Sequence, residues 1–310
     1  MTVLYYPDAP APSWPHPVVA LGNFDGLHRG HLKLIDQVRR HAAERAGTSV
    51  VLTFDPYPPS VIRPERAQPL LMPLAQKLRA LERVGVAAVA IVRFTADVAR
   101  WEPETFVERA LIDWLRVAEV WVGENFLFGR DRTGTFTLLR ALGEDRGFTV
   151  EKIEPVRFRE FVVSSTRIRH LLREGRVDEA AALLGHHYAI EGVIVRGDGR
   201  GRTLGYPTAN LDPENELVPP HGIYATVAVV DEVAHPAVTS IGVRPTFGGG
   251  RMVIETYLLD GDRDLYGRHM RLAFVTRLRE ERAYETVEAL QAQMARDCEA
   301  ARAVFARLTI

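Results

Sequence analysis

At 310 residues, with 46% apolar and 25% charged side chains, the chain has the composition of an ordinary globular protein and is long enough for two domains. Its net charge of −1 excludes a basic surface of the kind that recruits nucleic acid or an acidic membrane. A single cysteine leaves no partner for an internal disulfide, and the N-terminus does not resemble a signal peptide. The longest apolar run, residues 84–92, is too short to span a membrane. We therefore expect a cytoplasmic protein without membrane partners.

The first half alternates strand-like and helix-like segments. In chain order these are a buried strand at 18–21, a glycine turn, a helical stripe from Leu32, a strand at 49–54, a helix through Leu74, Leu78 and Leu81, a strand at 87–92, a helix around 106–115 and a strand at 119–123. This alternation predicts a doubly wound parallel sheet, whose carboxyl edge is where ligands bind.

The first turn of this pattern carries two histidines three residues apart, His28 and His31, with Gly30 between them. A helix start beneath a glycine turn offers unpaired N–H groups and the positive end of the helix dipole, both suited to phosphate. Gly30 leaves room for a ligand to approach the backbone. The pattern favours stabilisation of an α-phosphate under nucleophilic attack over the alternative, a tight turn with surface histidines.

Two aromatic residues follow the strand at 119–123. Phe126 and Phe128, beside Asn125, are able to stack on and orient a planar ring, but such a pair is more typical of core packing. From the residues alone, both interpretations stay open.

Hydroxyl side chains precede the next helical run. Ser164 and Thr166 are suited to capping that helix, or, together with Arg167 or Arg169, to holding the outer phosphates of ATP.

The character of the sequence changes after Leu184 or Gly185, where we predict the domain boundary. A helical pattern at 166–184 precedes it, strand-like segments follow at 188–196, 223–230, 253–259 and 270–275, and helical periodicity returns at 287–305. A run of strands followed by one helix predicts a small antiparallel barrel.

A glycine-rich segment, GDGRGRTLGYPTAN at 197–210, stands out in this second half. Pro207 lies where a dinucleotide-binding helix would continue, which makes a Rossmann site improbable. Thr208 and Asn210 offer hard oxygens suited to a magnesium ion that carries ATP phosphates. Taken alone, the segment is equally compatible with an exposed hairpin.

Together, these motifs resemble those of the bacterial bifunctional riboflavin kinase/FMN adenylyltransferases, the prokaryotic FAD synthetases. The matching stretches are GNFDGLHRGH at 22–31, VGENFLFG at 122–129, VSSTRIR at 163–169, GDGRGRTLGYPTAN at 197–210, HGIYA at 221–225, IGVRPTFG at 241–248, IETYLLD at 254–260 and DLYG at 264–267.

The resemblance implies an FMN adenylyltransferase domain of nucleotidyltransferase type at 1–184 and a riboflavin kinase barrel with a C-terminal helix at 185–310. Riboflavin, FMN, FAD and ATP are the implied ligands, with Mg²⁺ as cofactor. The implied catalytic residues are His28, His31 and Glu255. The implied ATP and phosphate ligands are Asn23, Asp25, Gly30, Ser164, Thr166, Arg167, Gly197, Gly199, Thr208 and Asn210, the last two also binding the metal. The implied flavin ligands are Asn125, Phe126, Phe128 and Arg244.

The chain departs from the family pattern at a few positions. Tyr57 stands where histidine is common, Ser240 where asparagine is common, and Thr256-Tyr257 replaces the common Val-His pair after the acid. Two other functions remain as alternatives: a nucleotidyltransferase acting on a phosphopantetheine or lipid precursor, and a non-catalytic flavin-binding module. The neutral charge disfavours an RNA-binding barrel.

Overall fold

The structure, a computed structural model, describes residues 1–197, 200–244, 251–261 and 264–307. Contacts divide the chain into two compact units, Met1–Leu70 with Leu74–Ser164, and Leu71–Pro73 with Ser165–Ile310. The predicted boundary at Leu184 or Gly185 concerns the catalytic domains and stays a prediction, while by contacts residues 165–184 pack with the second unit.

The first unit is built on a six-stranded, fully parallel sheet with the strand order β1-β4-β3-β2-β5-β6. Its strands are β1 (Thr2–Tyr6), β2 (Pro17–Leu21), β3 (Thr48–Asp55), β4 (Ala88–Arg93), β5 (Glu119–Gly123) and β6 (Thr149–Ile153). A short hairpin, β7 (Arg157–Phe158) with β8 (Phe161–Val162), ends the unit.

Helices cover the faces of this sheet. They are α1 (Arg29–Glu44), α2 (Pro58–Ile62), α3 (Leu74–Val84), α4 (Pro103–Phe106), which continues as a π-helix (Val107–Trp114), and α5 (Phe136–Arg146). Helix α1 packs on β2, β3 and β5, and its buried residues include Leu34, Ile35 and Val38. Because helices cover the sheet, β2 to β5 read as nearly continuous apolar runs.

The strand order places a topological switch point at β2. From β2 the chain moves to β3 on one side, and it later returns to place β5 on the other side. In open parallel sheets, the crevice outside the carboxyl ends of strands at such a point is the preferred ligand site. The turn after β2 and the loop after β5 flank this crevice.

In the second unit, six strands of the described chain close into an antiparallel barrel with the order β10-β13-β12-β11-β14-β9. They are β9 (Ala189–Val195), β10 (Ala209–Pro213), β11 (Gly222–Val230), β12 (Val233–Arg244), β13 (Arg251–Leu258) and β14 (His269–Arg279). The accompanying helices are α6 (Ser165–Arg173), α7 (Val177–Leu184), a single turn α8 (Arg200–Thr203) and α9 (Val287–Phe305).

The barrel has two apolar layers. Tyr224 and Phe274 fill its interior with their rings 5.2 Å apart, edge to face. Outside it, α9 packs Ala301 and Phe305 against β11 and β14. Within the part of the chain that the structure describes, no helix is long and apolar enough to cross a bilayer.

Both predicted architectures, the parallel sheet and the barrel with its C-terminal helix, are confirmed. The predicted helix at 166–184 is wrong in one respect: α6 and α7 are separate, with Gly175 between them at φ +75°. In the glycine-rich segment, α8 forms a single turn that ends before Pro207, so the helix that a dinucleotide-binding motif would open does not continue there. Six strands of the described chain were not predicted from the sequence: β1, β6, the short β7 and β8, β10 and β12.

Candidate active sites

The turn between β2 and α1 is strained and buried. Phe24, Gly26 and Leu27 have φ values of +49°, +87° and +43°. Left-handed backbone costs a non-glycine residue about 1–3 kcal/mol and persists where the surroundings over-determine it. Burial of the Phe24 and Leu27 side chains supplies that constraint. The turn therefore delivers the following residues in one fixed conformation.

His28 is the N-cap of α1, and its Nδ1 accepts a 3.3 Å hydrogen bond from the backbone N–H of His31. The His28 ring stacks on the His31 ring with centroids 3.6 Å apart and planes 15° apart. A Cβ at Gly30 would lie only 3.1 and 3.2 Å from ring atoms of His28. Gly30 thus leaves the space that the histidine pair needs.

The protonation states of this pair follow from their surroundings. Burial, then His28 and Lys77, holds the pKa of His31 well below its ordinary value near 6.5. Because Nδ1 of His28 accepts a hydrogen bond, its proton in the neutral form is on Nε2. His31 is therefore held in its neutral form, and the proton on Nε2 of His28 makes that atom a donor.

A buried cation lies beneath the same turn. The Nζ atom of Lys77, on α3, donates a 2.8 Å hydrogen bond to the carbonyl of Asn23, which also accepts from the Thr53 hydroxyl at 3.3 Å. Lys77 is 6% exposed and Asp25 3%. Burial lowers the pKa of Lys77, and the carboxylates of Asp25 and Asp55 oppose that shift.

A cavity of about 370 Å³ lies at the carboxyl edge of the sheet. Its wall is formed by the residues that follow four strands: Gly22 and Asn23 after β2, Tyr57 to Pro59 after β3, Phe94 after β4, and Asn125 to Gly129 after β5, with Phe54, Ile62, Val98, Ala99, Trp101, Phe106 and Arg132. An aromatic slot of this size suits a planar heteroaromatic ring.

The structure shows the packing of Phe126 and Phe128, for which the sequence left two interpretations open. Their rings stack 5.6 Å apart at 15°, and Phe128 also packs against Phe106 at 5.7 Å. Phe128 is part of the core, and both rings line the cavity. Core packing and ring binding are therefore compatible at this pair.

Sequence reasoning missed several residues of this site. Trp101 and Phe94 carried no motif, and Tyr57 was noted only as a departure, yet all three line the cavity. Arg132 is a positive side chain on the same wall. Lys77 had one available signal, because it is a lysine in an arginine-rich chain.

The predicted phosphate segment spans the end of one unit and the start of the other. Ser164 ends the first unit, and Thr166 and Arg167 lie in the first turn of α6, which packs with the second. Their assignment to the outer phosphates of ATP stays a prediction.

The register of the barrel brings the predicted kinase residues together. Asn210 on β10 lies directly opposite Glu255 on β13, and Glu255 lies opposite Ser240 on β12. Thr256, the next residue along, is in the barrel interior, where its hydroxyl lies 3.0 Å from that of Thr239. Since side chains alternate along a strand, Asn210, Glu255 and Ser240 share the outer face.

Two described glycines of the segment at 197–210, Gly197 and Gly201, lie close to polar groups of the same segment. A Cβ at Gly197 would overlap the side-chain amide of Asn210, which is 8% exposed. A Cβ at Gly201 would overlap the carbonyl of Tyr206 and lie 3.1 Å from the Thr208 hydroxyl. Gly199 and the Arg244 side chain lie outside the described part of the chain.

The donor set available here is made of hard oxygens. The Thr208 hydroxyl and the Asn210 amide oxygen are ligands of the type that Mg²⁺ accepts alongside substrate phosphates. Within the described ranges no cluster of three or more His, Cys, Asp or Glu side chains could hold a metal ion by itself. The residues present therefore fit a cation that arrives with a nucleotide.

Comparison with known proteins finds similar proteins for both halves of the chain. A family model described as FAD synthetase matches residues 11–167, and one described as riboflavin kinase matches residues 184–305. A bifunctional riboflavin kinase/FMN adenylyltransferase from Escherichia coli K12 is 37% identical over 93% of this chain and 92% of its own length. One from Pseudomonas fluorescens is 38% identical over 93% of each chain.

A solved structure supports the same architecture. A Streptococcus pneumoniae chain described as a macrolide-efflux protein superimposes with a TM-score of 0.88 at 28% identity, covering 97% of this chain and 99% of its own. That description applies to the other protein, and the similarity is one of fold.

Proposed function

The chain belongs to the bifunctional riboflavin kinase/FMN adenylyltransferase family, and from that membership we propose which residues carry each reaction. It phosphorylates riboflavin with ATP to give FMN, and it transfers an adenylyl group from ATP to FMN to give FAD and pyrophosphate. The use of ATP supports the cytoplasm as the compartment that we propose.

Adenylylation takes place on the first unit. A phosphate oxygen of FMN attacks the α-phosphorus of ATP, and the bond from that phosphorus to the oxygen bridging to the β-phosphate breaks. Negative charge grows on the α-phosphoryl oxygens as pyrophosphate leaves. An N–H of the His28 and His31 pair donates to those oxygens, aided by the dipole at the start of α1.

The single observation that carries this proposal is the position of the aromatic cavity. It is lined by Asn23, five residues before His28, and by Phe126 and Phe128 across the switch point. An aromatic slot supports a flavin ring as the acceptor and argues against a pantetheine or lipid precursor, neither of which presents a planar ring system. Asn125 also lines the cavity, and in this proposal its amide orients the polar edge of the ring.

Phosphorylation takes place on the outer face of the barrel. Glu255 takes the proton from the 5′-hydroxyl of riboflavin, whose oxygen attacks the γ-phosphorus while ADP leaves. Thr208 and Asn210 hold the phosphate end of ATP, and the backbone of Gly197 lies so close to the Asn210 side chain that a Cβ would overlap it.

The family uses ATP in both reactions, and we propose Mg²⁺ as the cation in the kinase half. When bound between phosphates, it would neutralise charge that develops during transfer. Thr208 and Asn210 would hold it through their side-chain oxygens.

The test is a time course of riboflavin, ATP and Mg²⁺ with the full-length chain, with the flavins separated by chromatography. FMN should appear first and FAD should follow. Untouched riboflavin would refute the kinase assignment, and FMN that accumulates without FAD would refute the adenylylation assignment.

The residue assignment in the kinase half has its own test. Glu255→Gln should lower kcat for riboflavin phosphorylation roughly 100-fold or more, the usual contribution of a general base. Glu232→Gln, at an exposed turn of the same barrel, is the matched control and should leave kcat unchanged. Equal rates in the two variants would exclude Glu255 as the base.

A further inference from the structure

Lys77 is an unusual residue in this chain. Of the 39 basic residues only three are lysines, and Lys33 and Lys152 are exposed whereas Lys77 is buried. An ammonium is a compact point charge with three donors, while a guanidinium is a wide planar fork. Lys77 is thus the buried one of the three lysines, and its compact ammonium suits a closely enclosed position.

The burial of this charge is matched by specific neighbours. Its ammonium donates to the Asn23 carbonyl at 2.8 Å, and the carboxylates of Asp25 and Asp55 are its negative neighbours. A buried ammonium without such partners would be strongly unfavourable. The arrangement is therefore a built electrostatic cluster beneath the β2–α1 turn.

The Asn23 carbonyl, which accepts the hydrogen bond from Lys77, lies between the cavity and the turn that leads to His28. Asn23 lies on the cavity wall, and the left-handed residue Phe24 follows it directly. Four residues further along the same turn is His28, the cap of α1. Fixing the Asn23 carbonyl therefore fixes the start of the strained segment that connects the cavity to the histidine pair.

Lys77 also acts on the histidine pair through space. The groups that set the charge of His31 are its burial, the neighbouring His28 and the positive charge of Lys77, all of which favour the neutral imidazole. A fixed cation beneath the turn also favours the approach of phosphate groups.

We propose that Lys77 is a positioning residue of FMN adenylylation, a role that rests on the proposed function: its ammonium anchors the Asn23 carbonyl and so holds the turn that presents His28 and His31. It contacts neither FMN nor ATP in this role. Its effect on the reaction passes through the backbone of the turn and through the charge state of His31.

The experiment uses the full-length chain with Lys77→Met, which removes the charge, and Lys77→Gln, which retains a donor for the Asn23 carbonyl. Lys33→Met is the matched control, because Lys33 is an exposed lysine on α1. FAD formation from supplied FMN is followed as kcat and KM across pH 5 to 9, with riboflavin phosphorylation measured alongside.

We expect Lys77→Met to lower kcat for FAD formation by roughly 100-fold, the scale of an ångström-sized misplacement. Riboflavin phosphorylation and the Lys33→Met rates should stay unchanged. In both Lys77 variants the acid limb of the pH profile should move to higher pH, since His31 then binds a proton more readily. Lys77→Gln should lose less kcat than Lys77→Met, because it retains the donor.

The unaltered chain is assayed first. If it makes no FAD, the proposed function is refuted and the role of Lys77 falls with it. If the unaltered chain makes FAD, and both Lys77 variants have the same kcat and the same acid limb of the pH profile, the proposed function stands and only the role of Lys77 is overturned. A lowered melting temperature with unaltered kcat and acid limb, or failure of both variants to fold, assigns Lys77 to folding and also overturns it.

Discussion

Replacing His28 separates its structural role from its chemical one. In His28→Ala the N-cap bond to the His31 N–H and the stacked ring are both lost. Loss of a cap costs about 1 kcal/mol, and loss of a ring pair costs about 0.5–1.5 kcal/mol. The variant should therefore be destabilised by roughly 2 kcal/mol, which a folded protein of this size tolerates.

The catalytic loss should be larger and confined to one reaction. Removing a preorganised donor from a developing oxyanion lowers kcat about 100- to 1,000-fold. FAD formation should fall by this factor, while riboflavin phosphorylation continues at its original rate because Glu255, Thr208 and Asn210 are on the barrel.

His28→Asn is the matched control, since asparagine is among the best N-caps and has no imidazole. It should recover about half of the lost stability, because it restores the cap but not the ring stack, and none of the FAD formation. The assay is chromatographic separation of FMN and FAD from supplied FMN and ATP, with thermal unfolding measured on the same samples. Recovery of FAD formation in His28→Asn would refute the reasoning, because His28 would then act only as a cap.

Three further outcomes are expected. Gly197→Ala should abolish riboflavin phosphorylation but not FAD formation from supplied FMN, because the added Cβ overlaps the Asn210 amide; equal rates in variant and parent would contradict this. Phe126→Ala should raise KM for FMN about 10-fold through loss of ring stacking on the cavity wall, checked by initial rates against FMN concentration. The pKa of His31 is lower in the folded protein than its unfolded value near 6.5. As the pH falls below 6.5, the unfolded chain therefore binds a proton at His31 before the folded protein does. The contribution of His31 to the free energy of unfolding is thus complete above pH 6.5 and is lost as the pH falls toward the folded pKa. The melting temperature of His31→Asn should accordingly depend less on pH between 7 and 5 than that of the parent, and parallel curves would count against the assigned shift.

Elements with strong local signals were predictable from the sequence. The strand Glu119–Gly123 and the helix Val287–Phe305 have the predicted bounds, because an uninterrupted apolar run and a long amphipathic stripe each leave one favourable structure. The histidine pair was placed by the same kind of local signal, since strand, glycine turn and helix stand next to each other in the chain.

Elements that depend on distant partners were not predictable. β12 is a twelve-residue strand that contains Pro236 and Gly242, both unfavourable in an isolated strand. Its pairing with β11 on one side and β13 on the other stabilises it in the closed barrel. Likewise, the helical pattern at 166–184 is interrupted at Gly175, where a side chain would press on Arg277 of β14.

By itself, the sequence determined the two architectures and the histidine pair, because each is encoded in residues close together in the chain. Its resemblance to the family singled out Thr208, Asn210 and Glu255, whose roles stay predictions. Only the tertiary structure decided the aromatic cavity and the cation beneath the turn. Tyr57 follows β3, Phe94 and Trp101 follow β4, and Lys77 is 54 residues from Asn23. They meet because parallel strands end at one edge of the sheet, and the strand order, which no local pattern encodes, selects which loops share that edge.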